Sequence, residues 1–98
     1  MPTPASAMNP QIEHLPEQGR FQTVVDGHRS VAEYRLQDGV LAITHTEVAP
    51  ELGGRGIAGA LMQAVLAHAT TEGLKVRPLC SYAHSYMQRH PETESLLA

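Results

Sequence analysis

Two Asp-Gly pairs, Asp26-Gly27 and Asp38-Gly39, punctuate a β-rich stretch and constrain the fold more than any other feature. A two-residue hairpin loop needs positive φ at both central positions, which Asp and Gly tolerate best, and it joins adjacent antiparallel strands. Phe21 to Val25 precedes the first pair, His28 to Leu36 lies between the two, and Val40 to Val48 follows the second. In the middle run Ala32, Tyr34 and Leu36 alternate with Val31, Glu33 and Arg35, the period of a strand with one buried face. The three runs predict an antiparallel meander.

Beyond Pro50 the period changes. Ile57, Leu61, Ala64, Val65, His68 and Ala69 form a helical stripe within Ile57 to Thr71, alanines add propensity, and Gly73 suits the C-terminal cap. Lys75 to Leu79 reads as a fourth strand. The strand–helix–strand crossover lays it parallel to the third. A short last helix spans Tyr82 to Arg89, with Ser81 as N-cap and Pro91 beyond its end. The expected fold class is α/β: a three-strand meander, a fourth strand parallel to the third, one long helix and a short C-terminal helix.

A chain of 98 residues holds one small domain. Pro2, Pro4, Pro10 and Pro16 interrupt the first nineteen residues, which predicts a flexible arm over 1–19, a domain over 20–92 and a tail over 93–98. The arm has neither the basic start nor the apolar centre of a signal peptide, and no apolar run approaches the roughly 18 residues of a membrane span. Cys80 is the single cysteine, so neither an internal disulfide nor a multi-cysteine zinc site is expected, which fits a reducing, cytoplasmic setting. The net charge of −3 argues against a nucleic-acid partner. So small a core gains from any ligand or second copy of the chain that binds only the native state, hence a homodimer is entertained.

Gly53-Gly54-Arg55-Gly56-Ile57-Ala58-Gly59 stands between strand and helix. Glycines let the backbone turn sharply and let a ligand approach the amides. The unpaired N–H groups and positive dipole end of the helix favour an anion such as pyrophosphate, and Arg55 adds a positive charge. A plain helix entry is the bland alternative. Gly54 to Gly59 spells G-x-G-x-x-G, but Ala49 to Gly53 separate it from the strand, no acidic residue closes a second strand, and the chain is too short for a doubly wound sheet. The P-loop lysine and hydroxyl are also missing.

Val48-Ala49-Pro50-Glu51-Leu52-Gly53-Gly54-Arg55-Gly56-Ile57-Ala58-Gly59-Ala60-Leu61 resembles the acetyl-CoA signature of the GNAT N-acetyltransferase superfamily, V-x-P-x-x-R/Q-G-x-G-I/V-G/A-x-x-L. Gly53 stands where the pattern usually has Arg or Gln. Together with Cys80-Ser81-Tyr82 and His90-Pro91-Glu92, the GGRGI turn resembles a minimal GNAT subgroup of about a hundred residues, over Arg20 to Glu92. The resemblance implies acetyl-CoA or CoA as co-substrate, its pyrophosphate on the amides of Gly53 to Gly59 and its pantetheine alongside Val48. No metal is expected.

The remaining polar residues supply catalytic candidates. Cys80, a cofactor-side and catalytic candidate, follows the fourth strand at a helix N-terminus, which favours thiolate, although a lone cysteine is more often a small packed thiol. Tyr86 falls near where larger GNAT enzymes carry a tyrosine that protonates the departing thiolate, though a tyrosine packed on the sheet reads equally well. His45 and Glu47 share one strand face, and Glu47 is the candidate general base for an amine. A solvated strand end is its plainer reading, and a His45–Glu47 metal site lacks a third ligand. His68 reads as a core or interface histidine; His84 and His90 could titrate near Cys80. The favoured function is direct acetyl transfer to an unidentified amine. The alternative is a CoA-binding module without significant turnover, a sensor or protein-interaction unit.

Overall fold

The computed structural model describes residues 11–98. Five strands, β1 (Glu13–Leu15), β2 (Arg20–Val25), β3 (His28–Gln37), β4 (Val40–Glu47) and β5 (Lys75–Pro78), form one sheet in chain order. The first four pair antiparallel; β5 joins β4 in parallel after the crossover helix α1 (Ile57–Glu72). Helix α2 (Ser81–Arg89) follows β5. Both Asp-Gly turns have positive φ at both residues, 51° and 78° at Asp26-Gly27 and 53° and 77° at Asp38-Gly39, as a primed hairpin turn requires.

One face of the sheet carries Phe21, Ala32, Tyr34, Leu41, Ile43 and Val76, which pack against Ile57, Leu61, Met62, Val65 and Ala69 of α1 and Ala83, Tyr86 and Met87 of α2. Met62 and Leu66 widen the expected stripe because α1 meets the sheet on one side and α2 with the C-terminal segment on another. Gly73 caps α1 at φ 69°. No helix among the described residues is long and apolar enough to cross a membrane.

Three expectations need correction. Residues 11–19 are not an arm: β1 pairs with β2, and a 3-10 turn, Pro16–Gln18, leads back into it. His14 anchors this edge strand, its ring stacked on Phe21 at 4.0 Å and its Nε2 2.6 Å from the Tyr34 hydroxyl. Aromatic burial outweighs the local bias of Pro16. The expectation for residues 1–10 lies outside the described residues. The tail is also docked. Pro91–Leu96 forms a 3-10 turn with Thr93 buried, and Leu97 bridges Val76 while the Ala98 N–H donates to the Val76 carbonyl. The free edge of β5 needs hydrogen-bond partners, and these residues supply one. Finally, the N-cap of α2 is Cys80 rather than Ser81; its sulfur accepts from the Ala83 N–H at 3.4 Å.

Candidate functional site

Strand β4 changes its pairing halfway. Glu33 faces His45 but Tyr34 faces Ile43, so Thr44 is an extra residue, a β-bulge whose hydroxyl donates to the Glu33 carbonyl at 3.3 Å. The bulge reverses the alternation. Ile43 and Thr46, three apart, both lie on the helix-covered face, where Thr46 pairs with Ala32. His45 and Glu47 lie on the opposite, open face with Glu33 and Val31. The two share a 3.2 Å hydrogen bond, as their i, i+2 spacing predicts, and both are exposed.

The same strand loses its neighbour at this point. Pairing with β5 ends at Ile43↔Pro78, and the Ile43 carbonyl accepts from both Leu79 and Cys80 N–H groups at 3.0 and 3.1 Å. Past Ile43, β4 runs on with β3 alone while the chain after β5 turns into α2. A wedge opens between Thr44–Glu47 and the start of α2. On its helix-side wall the Cys80 sulfur meets the Thr46 hydroxyl at 3.4 Å. Parallel strands that part after a crossover form the ligand crevice of many α/β sheets.

At the end of β4 the Ala49 N–H is held by the buried Ser30 hydroxyl at 3.1 Å, and a 3-10 turn, Pro50–Leu52, leads to the glycines. Gly54 and Gly56 have φ of 80° and 75°, a left-handed backbone that L side chains rarely adopt. A Cβ at either would meet nothing within 4 Å, so these glycines face open space rather than a packed neighbour. Gly56 caps α1 without a side-chain bond. The N–H groups of Gly54, Gly56, Ile57, Ala58 and Gly59 donate to no acceptor among the described residues, whereas Gly53, Arg55 and Ala60 donate to Pro50, Leu52 and Gly56. Unpaired amides under a bare surface at a helix N-terminus fit an anion, and they fit the pyrophosphate of CoA. Val48 packs at the rim of the core on the way to this loop.

Arg55 is engaged elsewhere. Its guanidinium lies 2.8 Å from the Asp26 carboxylate, so the glycine loop is tied to the β2–β3 turn. Tyr86 is 7% exposed and stacked on His90, ring centroids 4.0 Å apart, with His90 Nδ1 2.7 Å from the Tyr86 carbonyl. His90 therefore closes the C-terminal end of α2, about 15 Å of helix away from Cys80 at the N-terminal end, so the expected closeness of His90 to the thiol is not met. His84 starts the second turn of α2 and lines a groove of about 430 Å³ with Pro78, Met87 and Leu97. His68 packs edge-on against His14 at 4.4 Å, in the aromatic cluster under β1. No group of three candidate metal ligands occurs among the described residues.

Two residues escape a reading of the sequence. The Tyr82 hydroxyl comes within 4.0 Å of where a Cβ on Gly59 would sit, so the ring overhangs the first turn of α1. Burial raises its pKa, against the pull of nearby Arg89. Thr46 reaches Cys80 only because of the bulge. The signal for Tyr82 was its place in Cys80-Ser81-Tyr82; nothing local marks Thr46.

A family model described as GCN5-related N-acetyl-transferase matches residues 20–96. Mouse Protein NATD1 is 31% identical over 96 residues, covering 91% of this chain and 87% of the relative; its chicken counterpart is 32% identical over 84 residues, covering 83% and 76%. The solution structure of a GCN5-like protein from Staphylococcus aureus superposes with a TM-score of 0.73 at 26% identity, covering 92% of this chain and 89% of that one. The compact α/β architecture, the matched residues and the relatives agree: this chain belongs to the GCN5-related N-acetyltransferase family.

Proposed function

We propose that this protein transfers the acetyl group of acetyl-CoA directly to a primary amine. One observation carries the reading: the unpaired N–H groups of Gly54, Gly56, Ile57, Ala58 and Gly59, beyond the end of the strand that loses its partner past Ile43. Acetyl-CoA supplies an activated acyl group as a thioester, and the reaction joins that acyl carbon to the amine nitrogen with loss of the CoA thiolate. Within the Gly53 to Gly59 loop the free amides of Gly54, Gly56, Ile57, Ala58 and Gly59 hold the pyrophosphate, with Arg55 adding positive charge beside its tether to Asp26. Val48 borders the path of the pantetheine toward the wedge.

Glu47 takes a proton from the ammonium form of the acceptor, on the open face, and His45 holds its carboxylate at 3.2 Å. On the helix side, the tyrosines of α2 supply a proton to the departing thiolate. Tyr86 is the one implied by the family resemblance; Tyr82 reaches the first turn of α1. Cys80 borders the thioester as a helix cap. Holding amine and acyl group in one wedge supplies the larger share of the acceleration, through orientation.

Release of free CoA thiol with a panel of primary amines tests the proposal, alongside CoA binding by calorimetry. Amine-dependent release and a thermal midpoint raised by several degrees in millimolar CoA are expected. Absence of CoA binding overturns the cofactor assignment. Binding without thiol release from any amine favours the non-catalytic CoA-binding module.

A further inference from the structure

The open face of the sheet carries a feature that the acetyl-CoA site does not use. Arg35 pairs with Ala42, and Ala42 pairs with Arg77, so two arginines flank one small residue on adjacent strands. Register partners point to the same face, and strand spacing puts the two arginine backbones about 10 Å apart. Both arginines are exposed. Neither has a carboxylate partner among the described residues, although Arg20, Arg55 and two histidines do. Residues 1–10 contain no Asp or Glu. Val40 and Leu79 add apolar walls to a groove of about 460 Å³ over Ala42, with Asp38 at one end in the hairpin turn. Unpaired guanidiniums in a chain of net charge −3 call for an anion.

We propose that Arg35 and Arg77 bind an acidic group, carboxylate or phosphate, on the acceptor amine. This rests on the transferase reading and names its substrate class. Guanidiniums present paired N–H donors that match both oxyanions, and the missing side chain at Ala42 leaves room for the group between them. Along β4 the wedge begins just past Ala42, and His45 lies about 10 Å from it at 3.3 Å per residue. His45 and Glu47 share this face with the rung. Glu47 lies two residues further on, about 16 Å from Ala42 along the strand; the arginine and glutamate side chains reach over part of that span, and one small molecule covering the rest places its acid on the arginines and its amine near Glu47. The acceptor is therefore a small amino acid or amino phosphate rather than a neutral amine, and the groove's size suits it.

The test compares 6-aminohexanoate and 3-aminopropyl phosphate with neutral 6-aminohexanamide and 3-aminopropanol as acceptors, in the wild type and in Arg35→Gln/Arg77→Gln. Wild-type kcat/KM is expected to favour the acidic amines by about tenfold or more, the size of a charge-assisted contact, and the ratio to fall toward one in the double variant. The better acid identifies carboxylate or phosphate as the natural group. A ratio near one in the wild type, or a ratio that survives the double substitution, overturns the proposal. A second arm needs no turnover: amide chemical shifts are followed as N-acetyl-6-aminohexanoate, its carboxamide or N-acetyl-3-aminopropyl phosphate is added. Saturable shifts at Arg35, Ala42 and Arg77 with the carboxylate or the phosphate but not the carboxamide, lost in the double variant, support the anion site even if no amine is acetylated, in which case the transferase reading alone fails. No shifts there with either the carboxylate or N-acetyl-3-aminopropyl phosphate overturn the site. The thermal midpoint of the double variant confirms its fold.

Discussion

The Cys80 sulfur lies 3.4 Å from the Thr46 hydroxyl, across the wedge where β4 and the start of α2 part company. The same sulfur caps α2 by accepting from the Ala83 N–H. The thiol thus has a structural task at the border of the site, and the task is separable from chemistry by the choice of substitution.

Cys80→Ser keeps an N-cap acceptor, since serine caps helices well, whereas Cys80→Ala removes it at about 1 kcal/mol. Under direct transfer both variants retain turnover, and only the alanine variant loses stability, read by chemical denaturation. A hydroxylamine-labile acetyl on Cys80 that passes to an amine within one turnover would instead establish the thiol as an acyl carrier.

Gly56→Asn tests the amide cradle. Asparagine tolerates the left-handed backbone far better than a branched residue, and a Cβ at Gly56 meets nothing in the fold. The fold is expected to survive with a midpoint within a few degrees of the parent. The added side chain projects over the amides, so CoA affinity should fall by about tenfold or more, measured by calorimetry. Unaltered CoA binding in this variant leaves the glycine turn with a conformational role alone.

Glu47→Gln removes the proposed base from an exposed position where it supports no core contact. Turnover at neutral pH should drop by about 10² to 10⁴, the range of general-base contributions, with CoA affinity unchanged. An activity loss under threefold assigns Glu47 to the solvated strand end.

His14 makes stability depend on pH. Burial, with His68 as a second cause, holds its pKa below the ordinary 6.5, and its Nε2 faces the Tyr34 hydroxyl at 2.6 Å. Above pH 6.5 His14 is neutral in folded and unfolded chains alike, and its contribution is fully present. Below 6.5 the unfolded chain takes up a proton that the folded ring resists, so stability falls as pH falls. His14→Phe retains ring stacking and removes this titration. Its thermal midpoint should decline less than the wild type's between about pH 7.5 and pH 5.5; equal declines place the dependence elsewhere.

Leu61→Ala should cost about 2–5 kcal/mol by denaturant unfolding, because the side chain is fully buried between α1 and the sheet. A cost below 1 kcal/mol contradicts the packed core described above.

Local chemistry determined much of this protein. The Asp-Gly pairs set both hairpins because few residues accept two consecutive positive φ angles, and the period at Ile57, Leu61, Val65 and Ala69 set the face α1 buries. The glycines at 54 and 56 marked the left-handed turn into α1 for the same conformational reason. Tertiary structure decided what depends on distant partners. His14 folds back as an edge strand because Phe21, Tyr34 and His68 converge on it. Arg55 is diverted to Asp26, 29 residues away in sequence. The bulge at Thr44 sends Thr46 to Cys80 and leaves Glu47 on the other face; strand pairing sets that register, and no residue near Thr44 signals it. The Arg35–Ala42–Arg77 rung likewise exists only once β3, β4 and β5 lie side by side, since charges far apart in sequence become one site only through strand register.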